Sequence, residues 1–259
     1  MRSFTLFLFL PLLLASFLIG CDKSPTTPTD KGTLKINLTD APGEFQEVNI
    51  TFSEISAHID TEWVTVRGID TTVNLLEFSN GRTIVVGSAD VPVGHYTQIR
   101  IKIDTAWVVV DGMGHELTVP SAAKTGLKLG PQFTISEGST VELIIDFDAN
   151  RSIVTTGPPA NPQSYKLKPR IRVISKAITG SISGKVTNPE HLPLAYAIAG
   201  SDTVTSTAVD KNSGEFMLAF LPEGSYTASI RDTLNYSAQI NDVQVVVGTD
   251  NDLGMITLQ

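Results

Sequence analysis

The chain has 259 residues, 41% of them hydrophobic, with 19 basic and 27 acidic side chains and a formal charge of −8. An acidic surface disfavours nucleic acid as a partner. The single cysteine rules out a disulfide framework and any cysteine-based metal centre.

The amino terminus carries one positive charge, at Arg2, followed by an almost wholly apolar run from Phe4 to Ile19 that Pro11 interrupts. The run is shorter than the roughly 20 residues a spanning helix needs, and it reads as a secretory leader over residues 1–20. It ends Leu18-Ile19-Gly20-Cys21, which resembles the bacterial lipobox. That resemblance implies a diacylglycerol thioether on Cys21, cleavage before it and acylation of the new amine. Two or more acyl chains anchor a protein stably where one does not. Loss of Arg2 with the leader leaves 18 basic against 27 acidic residues, a charge of −9. Membrane association is therefore expected through the lipid alone, not through broad contact with anionic headgroups. Asp22, next to the cysteine, resembles an inner-membrane retention signal of enteric bacteria. Other bacteria do not follow that rule, so the membrane leaflet stays open. Residues 21–32 are rich in Pro and Thr and read as a solvated tether of very roughly 30 Å.

Alternation of polar and apolar residues then predicts a series of strands: Thr33–Leu38, Val48–Phe52, Trp63–Val66, Thr83–Val86, Gln98–Ile103, Trp107–Val110, Glu116–Val119 and Val141–Asp148. Turn signals separate them at 40–43, 79–81, 91–94, 111–112 and 137–138. No helical period is sustained. The expectation is an all-β chain of two sandwich- or barrel-like modules in tandem, residues 33–176 and 178–259, after the leader and a disordered tether.

Within Val141–Asp148, Val141, Leu143, Ile145 and Phe147 share one face and Glu142, Asp146 and Asp148 the other. Lys166, Lys168, Arg170 and Arg172 form a basic stripe further on. Asp146 and Asp148 could be metal ligands, or the basic stripe an anion site. The preferred reading is two neighbouring strands joined by exposed ion pairs worth about 0–1 kcal/mol each. Pro169 marks that second strand as an edge or a bulge.

Thr39-Asp40-Ala41-Pro42, Trp63, Asn74-Leu75-Leu76, the stretch from Val93 to Arg100, Asp146-Phe147-Asp148 and Tyr165 to Pro169 fall in an order that resembles the lipoprotein domain DUF4382, over about residues 32–176. Arg170 departs from the apolar residue that often follows the proline there. From about residue 178, Asp210 to Phe216 and Leu221 to Thr227 carry a Gly-x-Phe and a Pro-x-Gly-x-Tyr pattern. They resemble the carboxypeptidase-regulatory-like module, which implies a seven-stranded sandwich of transthyretin type. Related pilin-type modules close a Lys–Asn isopeptide bond. Lys185 could supply the lysine, but the last strand offers no asparagine.

No nucleophile elbow, P-loop, zinc-protease motif or dinucleotide fingerprint is present. His58, His95, His115 and His191 are scattered, and Thr249 to Asp252 reads as a hairpin turn, not a calcium loop. Neither enzyme activity nor a cofactor is expected. Two readings remain: an envelope protein that presents β-modules for binding, adhesion, assembly or scaffolding, and a glycan binder using Trp63, Trp107, Tyr196 or Tyr236 as platforms. Two coplanar aromatics on an open face would favour the glycan.

Overall fold

The computed structural model describes residues 30–41, 45–157 and 164–259. The leader, Cys21 and nearly all of the tether lie outside the described residues. The first strand starts at Lys31, inside the stretch expected to be tether. Gly32 explains the early start: a Cβ there would lie 2.6 Å from the Ser136 carbonyl and 2.8 Å from that of Ser139, so only glycine lets the three backbones meet.

The chain is all-β. Strands β1 (Lys31–Ala41), β2 (Glu47–Ile59), β3 (Glu62–Arg67), β4 (Thr71–Asn74) and β5 (Ile84–Pro92) lead to the long β6 (Gly94–Val110). After β7 (Met113–Thr118), β8 (Leu127–Leu129), β9 (Phe133–Ile135) and β10 (Thr140–Asp148) come β11 (Ile153–Thr156), β12 (Ser164–Leu167) and β13 (Ile171–Ser175). Four of them form a sheet in the order β13-β10-β1-β5, with β1 and β10 parallel. The other nine form a second sheet along β11-β12-β7-β6-β2-β3, with β4 on β2 and both β8 and β9 on β6. Leu34, Ile36 and Leu38 of β1, Leu143, Ile145 and Phe147 of β10, and Ile99, Ile101 and Ile103 of β6 are fully buried in one core. Each set alternates along its strand, as a sheet with one buried face requires.

Seven further strands build a second core. They are β14 (Thr179–Val186), β15 (Leu194–Ala199), β16 (Asp202–Ala208), β17 (Glu215–Pro222), β18 (Gly224–Arg231), β19 (Ser237–Val245) and β20 (Asp250–Ile256). They form sheets β17-β14-β20 and β16-β15-β18-β19 around Ile182, Ala197, Phe216, Leu218 and Ile230. β19 and β20 lie in different sheets, so the turn at Val246–Thr249 joins sheets and is not a hairpin.

Both cores use the same corner. The Tyr96 hydroxyl donates to the Pro92 carbonyl at 2.8 Å, and the Tyr226 hydroxyl to the Pro222 carbonyl at 2.9 Å. Each pair sits in a Pro-x-Gly-x-Tyr stretch that turns one strand into the next. The arrangement resembles the tyrosine corner of other β-sandwiches. The ring fills the core and the one polar atom is satisfied four residues upstream.

The basic stripe of residues 166–172 is not one strand. Lys166 lies in β12 of the nine-stranded sheet and Arg172 in β13 of the four-stranded one. Pro169, with no N–H to give a ladder, sits where the chain crosses between sheets. The crossing is held by Lys168 N–H to Ser152 O at 2.7 Å and Asp148 N–H to Arg170 O at 3.0 Å. β13 does pair with β10, and Asp146 stands opposite Arg172 as expected. The pair is not exposed, however: Asp146 is 5% accessible. The second sandwich covers it.

Candidate binding surfaces

Three places could serve function: the outer face of the nine-stranded sheet, the junction between the two sandwiches, and the end of the second sandwich remote from its linker.

On the outer face, register places Trp63 opposite His58 and Trp107 opposite Asn49. The two tryptophans therefore share a face but stand nine residues apart along β2, about 30 Å. They do not form one platform. The Arg100 guanidinium stacks 4.3 Å from the Trp63 ring centre, and His58 tilts against the same ring at 4.9 Å. Arg100 and Lys102 each reach Glu54 at 2.7 Å. The hydrogen bond from Lys102, with those from Arg100 and Ser56, outweighs burial and holds the Glu54 carboxyl down to about 2. The cations are committed to Glu54 and Trp63, so this face is a self-satisfied polar cluster.

At the junction, the β16–β17 edge of the second sandwich abuts the outer face of the four-stranded sheet. The Arg172 guanidinium donates to Asp146 Oδ2 at 2.6 Å and to the Phe220 carbonyl at 2.9 Å. The Thr205 hydroxyl donates to the same carboxylate oxygen at 2.9 Å, and Arg151 donates to the Thr203 carbonyl at 3.2 Å. On the other flank stands Asn80. Its Oδ1 accepts from the Thr207 hydroxyl at 2.7 Å and from Met217 N–H at 3.1 Å, while its own N–H donates to Thr207 Oγ at 3.2 Å. Asn80 holds φ +55° and Gly81 φ +75°. Asparagine tolerates that left-handed backbone better than most residues. Of the acidic face of β10, Asp146 is therefore spent on the junction, while Asp148 pairs with Arg151 and Glu142 with Lys35 and Lys176 of the same module. Among the described residues no three metal-ligating side chains come together.

At the far end of the second sandwich, Leu192, Pro193, Leu194, Tyr196, Val209, Arg231 and Asp232 line a groove of about 440 Å³. Leu192 is 60% exposed and Leu234, on the adjoining loop, 58%. The two loops are tied by Thr233 N–H to the His191 carbonyl at 3.2 Å. Leu192 adopts φ +52°, a conformation costing a branched side chain about 1–2 kcal/mol. Asp232 is buried. Its Oδ1 accepts from the backbone of Leu234 and Tyr236 at 2.9 and 2.8 Å, and its Oδ2 has no partner among the described residues. Of the four aromatics expected as platforms, Tyr196 lines this groove and Tyr236 is exposed on the loop beside it. Sequence reasoning did not find Leu192 or Asp232. Leu192 lies in a stretch, 188–193, that holds two prolines and shows no periodicity.

The histidines stay apart. His58 meets Thr97 at 2.8 Å, His95 meets Thr134 at 3.4 Å, and His115 packs on Tyr165.

The profile of a domain of unknown function, DUF4382, matches residues 31–169. No curated protein matches the chain. Among solved structures, the chain aligns with the Bacillus anthracis TIE protein at 10% identity and a TM-score of 0.24, covering 88% of this chain and 34% of that one. It therefore spans about a third of that protein's length. A C-terminally truncated tip fimbrial protein of Porphyromonas gingivalis aligns at 8% identity and TM-score 0.19, covering 82% of this chain and 81% of that one. A protein of Bacteroides fragilis described as a candidate for cell adhesion aligns at 11% and 0.21, over 86% and 93%.

Proposed function

The chain belongs to the DUF4382 family, and from that premise we propose that it is a non-catalytic, lipid-anchored protein of the bacterial envelope whose two β-modules form one arm presenting a binding surface. The second module we read as a carboxypeptidase-regulatory-like sandwich. Its seven strands in sheets of three and four, with Phe216 and Tyr226 buried at the patterned positions, support that reading. The observation that carries the proposal is the junction. Five side chains from the two modules (Asn80, Asp146, Arg172, Thr205 and Thr207) are spent on holding one sandwich against the other, and Asp146, Thr205 and Thr207 are buried there. Such a joint suits a rigid spacer and leaves the end of the second module free.

Anchoring is tested on Cys21. Metabolic labelling with a radioactive fatty acid should mark the wild-type chain and sediment it with membranes. The Cys21→Ser chain should be unlabelled and retain its leader or appear in the soluble fraction. A Cys21→Ser chain that remains labelled would remove the anchor from the proposal.

A further inference from the structure

We propose that the linker end of the second sandwich, with Ile178, Val246 and Val247 at its tip, lies on the lipid bilayer. This deepens the anchored-arm reading above and rests on it, because the anchor decides which surface the arm meets.

The patch is apolar and firmly built. Ile178 is 55% exposed, Val246 51% and Val247 39%. Turns are ordinarily polar, and clustered exposed apolar groups mark contact surfaces. Backbone contacts hold the valines beside Ile178. Gly248 N–H donates to the Thr179 carbonyl at 2.9 Å, and Ser181 N–H to that of Thr249 at 3.0 Å. A Cβ on Gly180 would lie 2.3 Å from the Val246 carbonyl oxygen, so the turn is pressed onto the chain just after Ile178.

What covers the patch follows from where the tether joins the fold. β13 ends with Ser175 opposite Leu143, and Lys176 reaches Glu142 at 3.1 Å. The linker Lys176–Ile178 therefore runs along β10 toward Thr140. Thr140 stands opposite Thr33 of β1, three residues after Asp30. Ile178 and the tether exit thus share one end of the first sandwich, two strand spacings or about 10 Å apart. The second sandwich points its linker end the same way. Met217 N–H meets Asn80 and the Phe220 carbonyl meets Arg172, so β17 runs toward this end and finishes with Pro222 opposite Thr179. The stretch from Asp22 to Asp30 can reach at most about 30 Å. Acyl chains on Cys21 therefore keep the Ile178 end beside the bilayer, with the Leu192 groove at the opposite end of the second sandwich. Exposed charges of both signs surround the patch (Lys31, Lys176, Glu223 and Asp250), so apolar insertion carries the contact, not headgroup attraction.

The test uses the full chain as purified from the producing cells, reconstituted into phosphatidylcholine vesicles that carry a nitroxide on the acyl chain. With the Cys21 sulfur held in its thioether, a cysteine introduced by Val247→Cys is the one free thiol and takes an environment-sensitive fluorophore. Its emission should shift to the blue and fall about twofold on nitroxide lipid, as suits a group seated roughly 5–10 Å into the headgroup boundary. The same label on Leu192→Cys, a site of similar exposure, should do neither. On Ile178→Cys the label should be quenched, and quenching should disappear when Val246→Ser and Val247→Ser are added. These side chains are exposed, so the fold should tolerate the changes. A chain that floats with the vesicles while Val247 responds no more than Leu192 would overturn the proposal and leave the anchor standing. So would a blue shift without quenching, which would mean that protein covers the patch. A chain that takes the label on Cys21 and does not float would sink the anchor reading, and the bilayer contact with it.

Discussion

Replacing Asn80 by alanine should uncouple the two sandwiches. The substitution removes one acceptor that serves the Thr207 hydroxyl and Met217 N–H. Thr207 is 2% exposed, so its hydroxyl loses a partner without gaining water, and each group left unsatisfied costs about 1–3 kcal/mol. Alanine at φ +55° adds about 1 kcal/mol more. The junction should weaken by about 3–7 kcal/mol, a large share of the 5–15 kcal/mol that holds a domain together. Both tryptophans, Trp63 and Trp107, lie in the first sandwich, whereas circular dichroism reports both modules. Urea unfolding followed by the two signals should coincide in wild type and separate in Asn80→Ala. Asn80→Asp keeps an acceptor and should stay close to wild type. Coincident transitions in Asn80→Ala, or equal effects of the two substitutions, would refute the view that Asn80 locks the joint.

The two corners should behave alike: Tyr96→Phe and Tyr226→Phe each delete one hydroxyl bond to a proline carbonyl and should each cost about 1–2 kcal/mol in urea unfolding, with no loss of either ring from its core. An effect in one module only would show that the shared sequence pattern does not mean a shared role. Glu54 should make the fold acid-sensitive. Its folded value, about 2, lies below the ordinary 4.5, so its contribution is complete above pH 4.5 and disappears as pH falls toward 2. The full shift corresponds to about 3 kcal/mol, and partial exposure reduces it to about 1–2. The stability gap between wild type and Glu54→Gln, measured by urea midpoints, should therefore close between pH 5 and pH 2; a gap independent of pH contradicts the assignment.

The strands of the first sandwich were readable because burial on one face imposes a period of two, and Thr33–Leu38, Val48–Phe52 and Val141–Asp148 all keep it. The long β6 read as two strands, 98–103 and 107–110, for an identifiable reason. Register slips beside Ser53 of β2 and Asp104 of β6, where each strand carries an extra residue, so the alternation changes phase inside a continuous strand. The stripe from Lys166 to Arg172 failed in the opposite way. Its alternation is unbroken in sequence, yet Pro169 ends one strand and the next joins another sheet. Periodicity reports which side of the backbone a residue is on, and it is silent about which sheet that backbone has joined.

The junction was hidden by the same limit. Thr203, Thr205 and Thr207 alternate as a solvent-facing stripe would, and Asn80-Gly81 has the composition of any tight turn. Each is ordinary locally, and they become a joint only because the fold brings together residues 127 positions apart. A polar face therefore carries two opposite meanings in a multi-module chain: it is wet where nothing covers it and a specific lock where another module does. Asp146 was legible as the partner of Arg172, but the third member of that cluster, Thr205, comes from a threonine edge with no charge of its own.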